Sequence, residues 1–546
     1  MNYIIINNKK IFISQIVLIL IIGLASVPRF YNIQTVGVLE QDSFLYWHYA
    51  AYWSDGHFTF RASSDSPSFY RPLAFFMYGL VVKWFPYQDY AIRAFNGLVD
   101  LINVFLVYRI GGRISDIRVG LCAALLYAFS PVMIRFARTE LLHTISILFL
   151  LLAIYYYVKY LECAYRKHWT MLAASGLMLS LGVHVHTSIG FFVFGFGILM
   201  LLDALSQKRQ ERLQRHELLK NIGIFGVSFV LPVSIILMIF AGQFVGIAEN
   251  VMYMIHERGG SAFNMRDIFS RFYDISLLQK FISYSILVPS QVIHGLFLAN
   301  LVMIVINFMY RSSINIKRFV PILMATGFVL ALRLILPKET DLKNLTPLVP
   351  LLMLQFCVTI HAILLILYKK APMGAVFVLI SVYWLGTGVP VIYNQLTSQS
   401  VSHYRILHND LKELVTGSDK ILFTDDPTDY TKPEAIRPYF GNNAVYYHHC
   451  DEPLDVFIER NQVKWILVPT NPIRFTTTSL VIPAREWVKS CFELKRDHEK
   501  IMRDRVADSG WWIHRILTEE WVNDMLAKGK GTFIYQSPLG RVMQLQ

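Results

Sequence analysis

Apolar runs of about 20 residues, each long enough to cross a bilayer as a helix, recur from residue 11 to roughly residue 394 and then stop. A backbone buried in hydrocarbon must satisfy its own hydrogen bonds, and continuous apolar runs of this length do so as helices. Of the 546 residues 54% are hydrophobic and 16% charged, where a soluble chain carries charge on about a quarter. From about residue 400 the composition changes abruptly, with charged residues, Pro, Gly, Asp and Asn returning. The expectation is an α-helical polytopic membrane protein. Residues 1–395 form the membrane part and residues 396–546 a soluble α/β domain.

The basic residues test the topology. Lys9 and Lys10 precede the first apolar run, Ile11 to Val27, which suits a cytoplasmic N-terminus. Ala25-Ser26-Val27 loosely resembles a signal cleavage site, but a retained anchor keeps the loop that follows at the membrane surface. Residues 30–90 then lie outside, with an aromatic amphipathic stretch (42–53) and a short apolar one (73–86) read as helices lying on the membrane. Crossing segments follow at roughly 91–109, 119–134, 141–159, 170–184, 187–205, 221–245, 282–309, 319–336, 345–368 and 373–393. Arg109, Arg113, Arg118, Lys159, Arg166, Lys167, the run from Lys208 to Lys220, Lys317, Arg318, Lys369 and Lys370 then share one face. That agreement supports about eleven crossing helices and an extracytoplasmic C-terminal domain.

The formal net charge of +13 sits in short loops between apolar segments, which excludes a nucleic-acid partner as its explanation. Cys122, Cys163 and Cys357 lie in or beside apolar runs and read as small packing residues, while a Cys450–Cys491 disulfide stays open on spacing alone. In the C-terminal part, Lys420–Thr424, Ala444–Tyr447 and Trp465–Pro469 read as strands and Pro453–Arg460 as a helix. No Gly-rich phosphate loop follows a strand, which argues against ATP-driven work.

The chemistry-bearing residues gather on the outer face. Glu40, Asp42 and Arg71 come from the first loop; Arg135, Arg138 and Glu140 follow Pro131. His184 and His186 come from the next outer turn, and they suit a hydrogen-bonded pair lining a cavity better than a metal site. His256, Glu257 and Arg258 lie in a long outer loop, and Lys338, Glu339, Asp341 and Lys343 precede Leu345-Thr346-Pro347-Leu348-Val349-Pro350. Ionisable groups at the edge of a membrane are costly to hold and mark function.

This arrangement resembles the GT-C superfamily of integral-membrane glycosyltransferases, which take sugars from polyprenyl phosphates. The family's acidic residue after the first helix is matched by Asp42 with Glu40. Its Lys/His-Pro-Pro-Leu segment is matched by Arg71-Pro72-Leu73, and the Arg opening its second helix by Arg93. A Pro, then Arg and Glu, leading into the fourth helix is matched by Pro131, Arg138 and Glu140. The late Arg-Tyr-Leu-Leu-Pro-Leu-x-Pro run is matched by Lys343 to Pro350. The chain departs in having one Pro after Arg71 and Lys343-Asn344 in place of Arg-Tyr. An oligosaccharyltransferase-like branch is the alternative, but Gly510-Trp511-Trp512-Ile513-His514 lacks that branch's Asp-Tyr-Gly.

The resemblance implies transfer of a sugar from a lipid-phosphate donor to a protein, glycan or lipid acceptor. Asp42 is the expected base, with Glu40 and Glu140 orienting acceptor or arginine. Arg71 is the expected donor-phosphate clamp, with Arg138 and Lys343 secondary. His184, His186 and Glu257 line the substrate cavity, and no metal ligand set is assigned, although the oligosaccharyltransferase-like branch would use a divalent metal. A lipid-linked-sugar transporter would also want a cationic outer cavity. Such folds show repeated halves and broken midplane helices, and neither is present in the sequence. The implied setting is a prokaryotic plasma (inner) membrane.

Overall fold

The computed structural model describes residues 2–36, 41–58, 70–86, 88–162, 169–186, 189–190, 192–207, 214–240, 346–367, 373–397, 411, 419–423, 444–446, 454–469, 522–536 and 540–545. Among the described residues thirteen helices occupy the N-terminal three-quarters of the chain. They are α1 (Asn2–Phe30), α2 (Ile33–Val36), α3 (Gln41–Ser54), α4 (Pro72–Trp84), α5 (Ala91–Ile114), α6 (Ile117–Ala128) and α7 (Pro131–Ala137). Then come α8 (His143–Glu162), α9 (Trp169–Val185), α10 (Phe192–Gln207), α11 (Gln214–Ile239), α12 (Val349–Leu367) and α13 (Met373–Thr397). Among the described residues four helices are long and apolar enough to cross a membrane, or five with α6 and α7 taken as one bent span. The protein is a polytopic membrane protein. The segments expected at 282–309 and 319–336 lie outside the described residues.

Each crossing helix divides its surface between lipid and protein. On α1, Ser14, Leu18, Ile21, Ala25 and Arg29 are buried at helical spacing, while Phe12, Ile16, Leu20, Leu24 and Val27 are exposed. Helices α5, α6, α8 and α12 supply most of the central core around Ile110, Ala123, Leu150 and Leu354. At the α5–α6 crossing glycines allow the backbones to meet: a Cβ on Gly111 would sit 2.8 Å from the Gly120 Cα.

One expectation changes. The segment read as one crossing at 119–134 is two helices, α6 and α7, bent by 62°. Pro131 opens α7, and Ser130 before it is extended at φ −75°, ψ 119°, as the residue preceding a proline tends to be. Helix α3, read as lying on the membrane, turns Tyr46, Trp47, Tyr49 and Trp53 into a second core with Phe75 and Tyr78 of α4. Tyr49 stacks on Phe75 with ring centroids 4.6 Å apart. The aromatic residues there are packing, and α4 presents Phe76, Leu80 and Trp84 outward.

In the C-terminal part, β1 (Lys420–Phe423), β2 (Ala444–Tyr446), α14 (Leu454–Asn461), β3 (Val463–Pro469), β4 (Gly531–Gln536) and β5 (Gly540–Leu545) follow in order. The strands form one sheet in the order β2-β1-β3-β5-β4. Its first three strands are parallel, and β5 pairs antiparallel with both β3 and β4. Leu422, Ile466 and Met543 are buried against Phe457 and Ile458 of α14, so the helix covers one face.

Candidate active site at the outer ends of the helices

Helix α5 organises the site. Arg93, Asn96, Asp100 and Asn103 recur every three or four residues along it, and all four are buried at 2% exposure or less. They form one polar stripe on an otherwise apolar helix, and each holds a different neighbour.

Deepest is Asn103, whose Nδ2 donates to the Thr144 carbonyl of α8 at 2.9 Å. One turn outward, Asp100 accepts from Arg29 Nε at 2.8 Å and Nη2 at 2.5 Å, and from Tyr127 Oη at 2.6 Å. Arg29 Nη1 also donates to the carbonyls of Ala25 and Ala128 at 2.8 Å and 2.9 Å. A paired charge with each guanidinium nitrogen engaged is the form in which an ion pair survives burial. Asn96 Nδ2 donates to the Thr139 and Leu141 carbonyls at 2.8 Å and 3.0 Å, with Tyr78 Oη 2.8 Å away. This pins the 138–142 turn to α4 and α5.

Arg93 tops the stripe. Its Nη1 lies 3.4 Å from Glu140 Oε1 and its Nη2 3.5 Å from Asp89 Oδ2. The Ser43 side chain of α3 approaches the same Glu140 carboxyl. Burial pushes the Glu140 carboxyl up to about 7, with Arg93 and Ser43 pulling the other way. Asp42 and Ser43 are the second and third residues of α3, so that helix starts near the Glu140 carboxyl.

Arg138 serves the end of α1. Its Nη1 donates to the Pro28 and Tyr31 carbonyls at 2.9 Å and 2.7 Å. Burial, with Arg93 nearby, draws its guanidinium down to about 10. It caps carbonyls at the C-terminal end of α1.

Arg71 is different. It caps α4 at φ −144°, ψ 56°, immediately before Pro72. Its Nε and Nη1 are shielded from solvent yet have no hydrogen-bond partner among the described residues. A guanidinium with shielded, unmatched donors is a ready anion site.

The two histidines part company. Helix α9 runs to Val185 and its last turn continues into His186, whose N–H donates to Gly182 at 2.9 Å. Helical winding therefore sends the two rings apart. His184 Nδ1 lies 3.2 Å from Tyr70 Oη, and the His186 ring lies 5.3 Å from that of His143. Glu40, Glu257 and Lys343 lie outside the described residues. Among the described residues no group of three or more His, Cys, Asp or Glu gathers to hold a metal.

The chain is similar to known proteins in two ways. Residues 65–236 match the family described as dolichyl-phosphate-mannose-protein mannosyltransferase. The fold is similar to that of ArnT from Cupriavidus metallidurans in the apo state, at 9% identity and a TM-score of 0.59, covering 96% of this chain and 97% of that one. The same protein bound to undecaprenyl phosphate matches at 10% identity and a TM-score of 0.58, with the same coverage. The Archaeoglobus fulgidus oligosaccharyltransferase in its apo form is similar at 10% identity and a TM-score of 0.52, over 84% of this chain and 69% of that one. No curated protein matches the sequence significantly. The chain thus shares its polytopic helical fold with these membrane proteins and carries the matched family segment at residues 65–236.

Proposed function

We propose that the protein moves a sugar from a polyprenyl-phosphate-linked donor to an acceptor on the extracytoplasmic side of a prokaryotic plasma membrane. The observation that carries this is Arg71, held at the start of α4 with shielded donors that no described protein group takes. A departing lipid phosphate would supply the missing acceptor, and a guanidinium grips it through paired N–H groups. Undecaprenyl phosphate bound to the similar ArnT supports a ligand of this class.

Asp42, at the start of α3, is assigned as the base that takes the acceptor proton as the sugar carbon is attacked. Glu140 holds Arg93 and sits beside Ser43, and so fixes where α3 begins. Arg138 and Lys343 are secondary phosphate contacts, and Glu40, Glu257, His184 and His186 complete the cavity. The proposal includes about eleven crossing helices, a cytoplasmic N-terminus and residues 396–546 as an extracytoplasmic domain.

The test is transfer from a panel of radiolabelled polyprenyl-phosphate sugars by the purified protein, with Asp42→Asn alongside. Turnover that Asp42→Asn abolishes, with insertion and melting behaviour intact, supports the assignment. Full activity in Asp42→Asn removes the base. Donor that binds without turnover, in wild type and variant alike, points to a transporter instead.

A further inference from the structure

His184 has a feature that a packing histidine lacks. It is fully buried, at 0% exposure, near the end of α9, and only one of its ring nitrogens is engaged. Nδ1 meets Tyr70 Oη at 3.2 Å, while Nε2 is shielded and has no partner among the described residues. A buried polar nitrogen left unmatched costs free energy and calls for a partner. Tyr70 is covalently joined to Arg71, whose Nε and Nη1 are shielded and unmatched in the same way. Orphaned nitrogens thus lie on Arg71 and on the histidine that its chain neighbour Tyr70 contacts.

Burial raises the Tyr70 phenol well above its ordinary value, so its O–H stays protonated, and as a donor it would meet the lone pair of Nδ1. A neutral imidazole that accepts at Nδ1 carries its proton on Nε2, which makes the orphaned nitrogen a donor.

We propose that His184 is a second donor to the phosphate of the lipid-linked sugar, placing its Nε2–H on the same anion that Arg71 grips, with Tyr70 fixing which nitrogen holds the proton. This rests on the donor-phosphate assignment of Arg71 made above. The role suits the reaction. A neutral donor stabilises the departing phosphate without adding a second charge to a buried site, and it needs no proton transfer of its own.

Two amide substitutions separate this from a structural role. The glutamine amide reaches about as far as Nε2, whereas that of asparagine reaches only as far as Nδ1 and can keep the Tyr70 contact. Binding of radiolabelled C55 polyprenyl phosphate would be measured on the full-length protein in nanodiscs, with inorganic phosphate as competitor. His184→Gln is expected to bind within about threefold of wild type, and His184→Asn about tenfold or more weaker. Inorganic phosphate should compete in wild type more effectively than in His184→Asn. Wild-type binding by His184→Asn, or an equal loss in both variants, overturns the proposal. Arg71→Ala runs alongside. If it too binds normally, the donor-phosphate reading itself fails, whereas its loss beside intact His184→Asn binding removes only the histidine. Should His184→Asn fail to fold, Tyr70→Phe carries the test: a several-fold loss supports the tautomer argument, and unchanged binding overturns it.

Discussion

Arg93 and Glu140 face each other 3.4 Å apart, one at the head of α5 and the other in the turn before α8, both nearly sealed from solvent. Asp89 approaches the same guanidinium at 3.5 Å, so one cation answers two carboxyls. Arg93→Ala would leave both carboxyls uncompensated and should cost about 3–5 kcal/mol, whereas Glu140→Gln leaves Arg93 with Asp89 and should cost less. The double variant should be more stable than the sum of its parts, as measured by a double-mutant cycle on unfolding in detergent. Strict additivity would show that the pair is not coupled.

The same pair makes stability depend on pH. The folded state holds the Glu140 carboxyl at about 7, above the ordinary carboxylate value, so it binds the proton more tightly than the unfolded chain. The stability this gives is fully present below the unfolded value and is lost as pH rises through about 7. Arg93, Asp89 and Ser43 are the polar groups identified around it. Melting temperature should fall by on the order of a few degrees between pH 5 and 8, and Glu140→Gln should flatten that slope. An identical slope in the variant would assign the dependence elsewhere.

Arg71 should matter for the donor more than for the acceptor. Arg71→Ala is expected to raise the donor KM by about tenfold or more with the acceptor KM little changed, since a charge-assisted contact is worth about 1.5–3 kcal/mol. Arg71→Lys keeps the charge and loses the paired geometry, so it should recover only part of the loss. Steady-state kinetics with each substrate varied in turn reads this directly.

The α5–α6 crossing gives a prediction independent of chemistry. A Cβ on Gly120 would run into the Tyr108 carbonyl oxygen and come within 2.8 Å of the Gly112 nitrogen, both backbone atoms of α5. Gly120→Val should force the helices apart and cost about 1–3 kcal/mol or more, visible as a lower melting temperature or loss of monodisperse protein. Gly23, with nothing within 4 Å of its built Cβ, is the matched control, and Gly23→Ala should be nearly neutral.

What could be read from the chain, and what could not, divides along physical lines. Helix-length apolar runs are a one-dimensional signal, and α1, α5, α8, α11 and α13 lie where they occur. The strand-like runs at 420–424, 444–447 and 465–469 likewise overlap β1, β2 and β3. The β4–β5 hairpin is not legible, because Gly, Thr, Gln and Arg cut the apolar stretches of its strands to two or three residues. Within the site, Arg71 stood out as a charge beside a proline. The spacing of Arg93, Asn96, Asp100 and Asn103 was in the sequence too, yet only Arg93 drew notice, and the polar positions show their meaning once wound onto one helical face. Pro131 signalled a break that a hydropathy window runs straight across. Partnerships such as Tyr70 with His184 join residues 114 apart, and no local pattern announces them.

The anchoring of α1 bears on how the protein is made. Beyond α1 its Arg29 is held by Asp100 and the Ala128 carbonyl, and Arg138 caps its terminal carbonyls. During synthesis α1 is therefore inserted long before its polar end has anything to hold. For some 110 residues of translation that end must be sheltered by lipid head groups, water or the insertion machinery. Once the 128–138 turn emerges, α1, α5 and α7 lock together, which makes completion of that turn the step that commits the N-terminal bundle to its final arrangement.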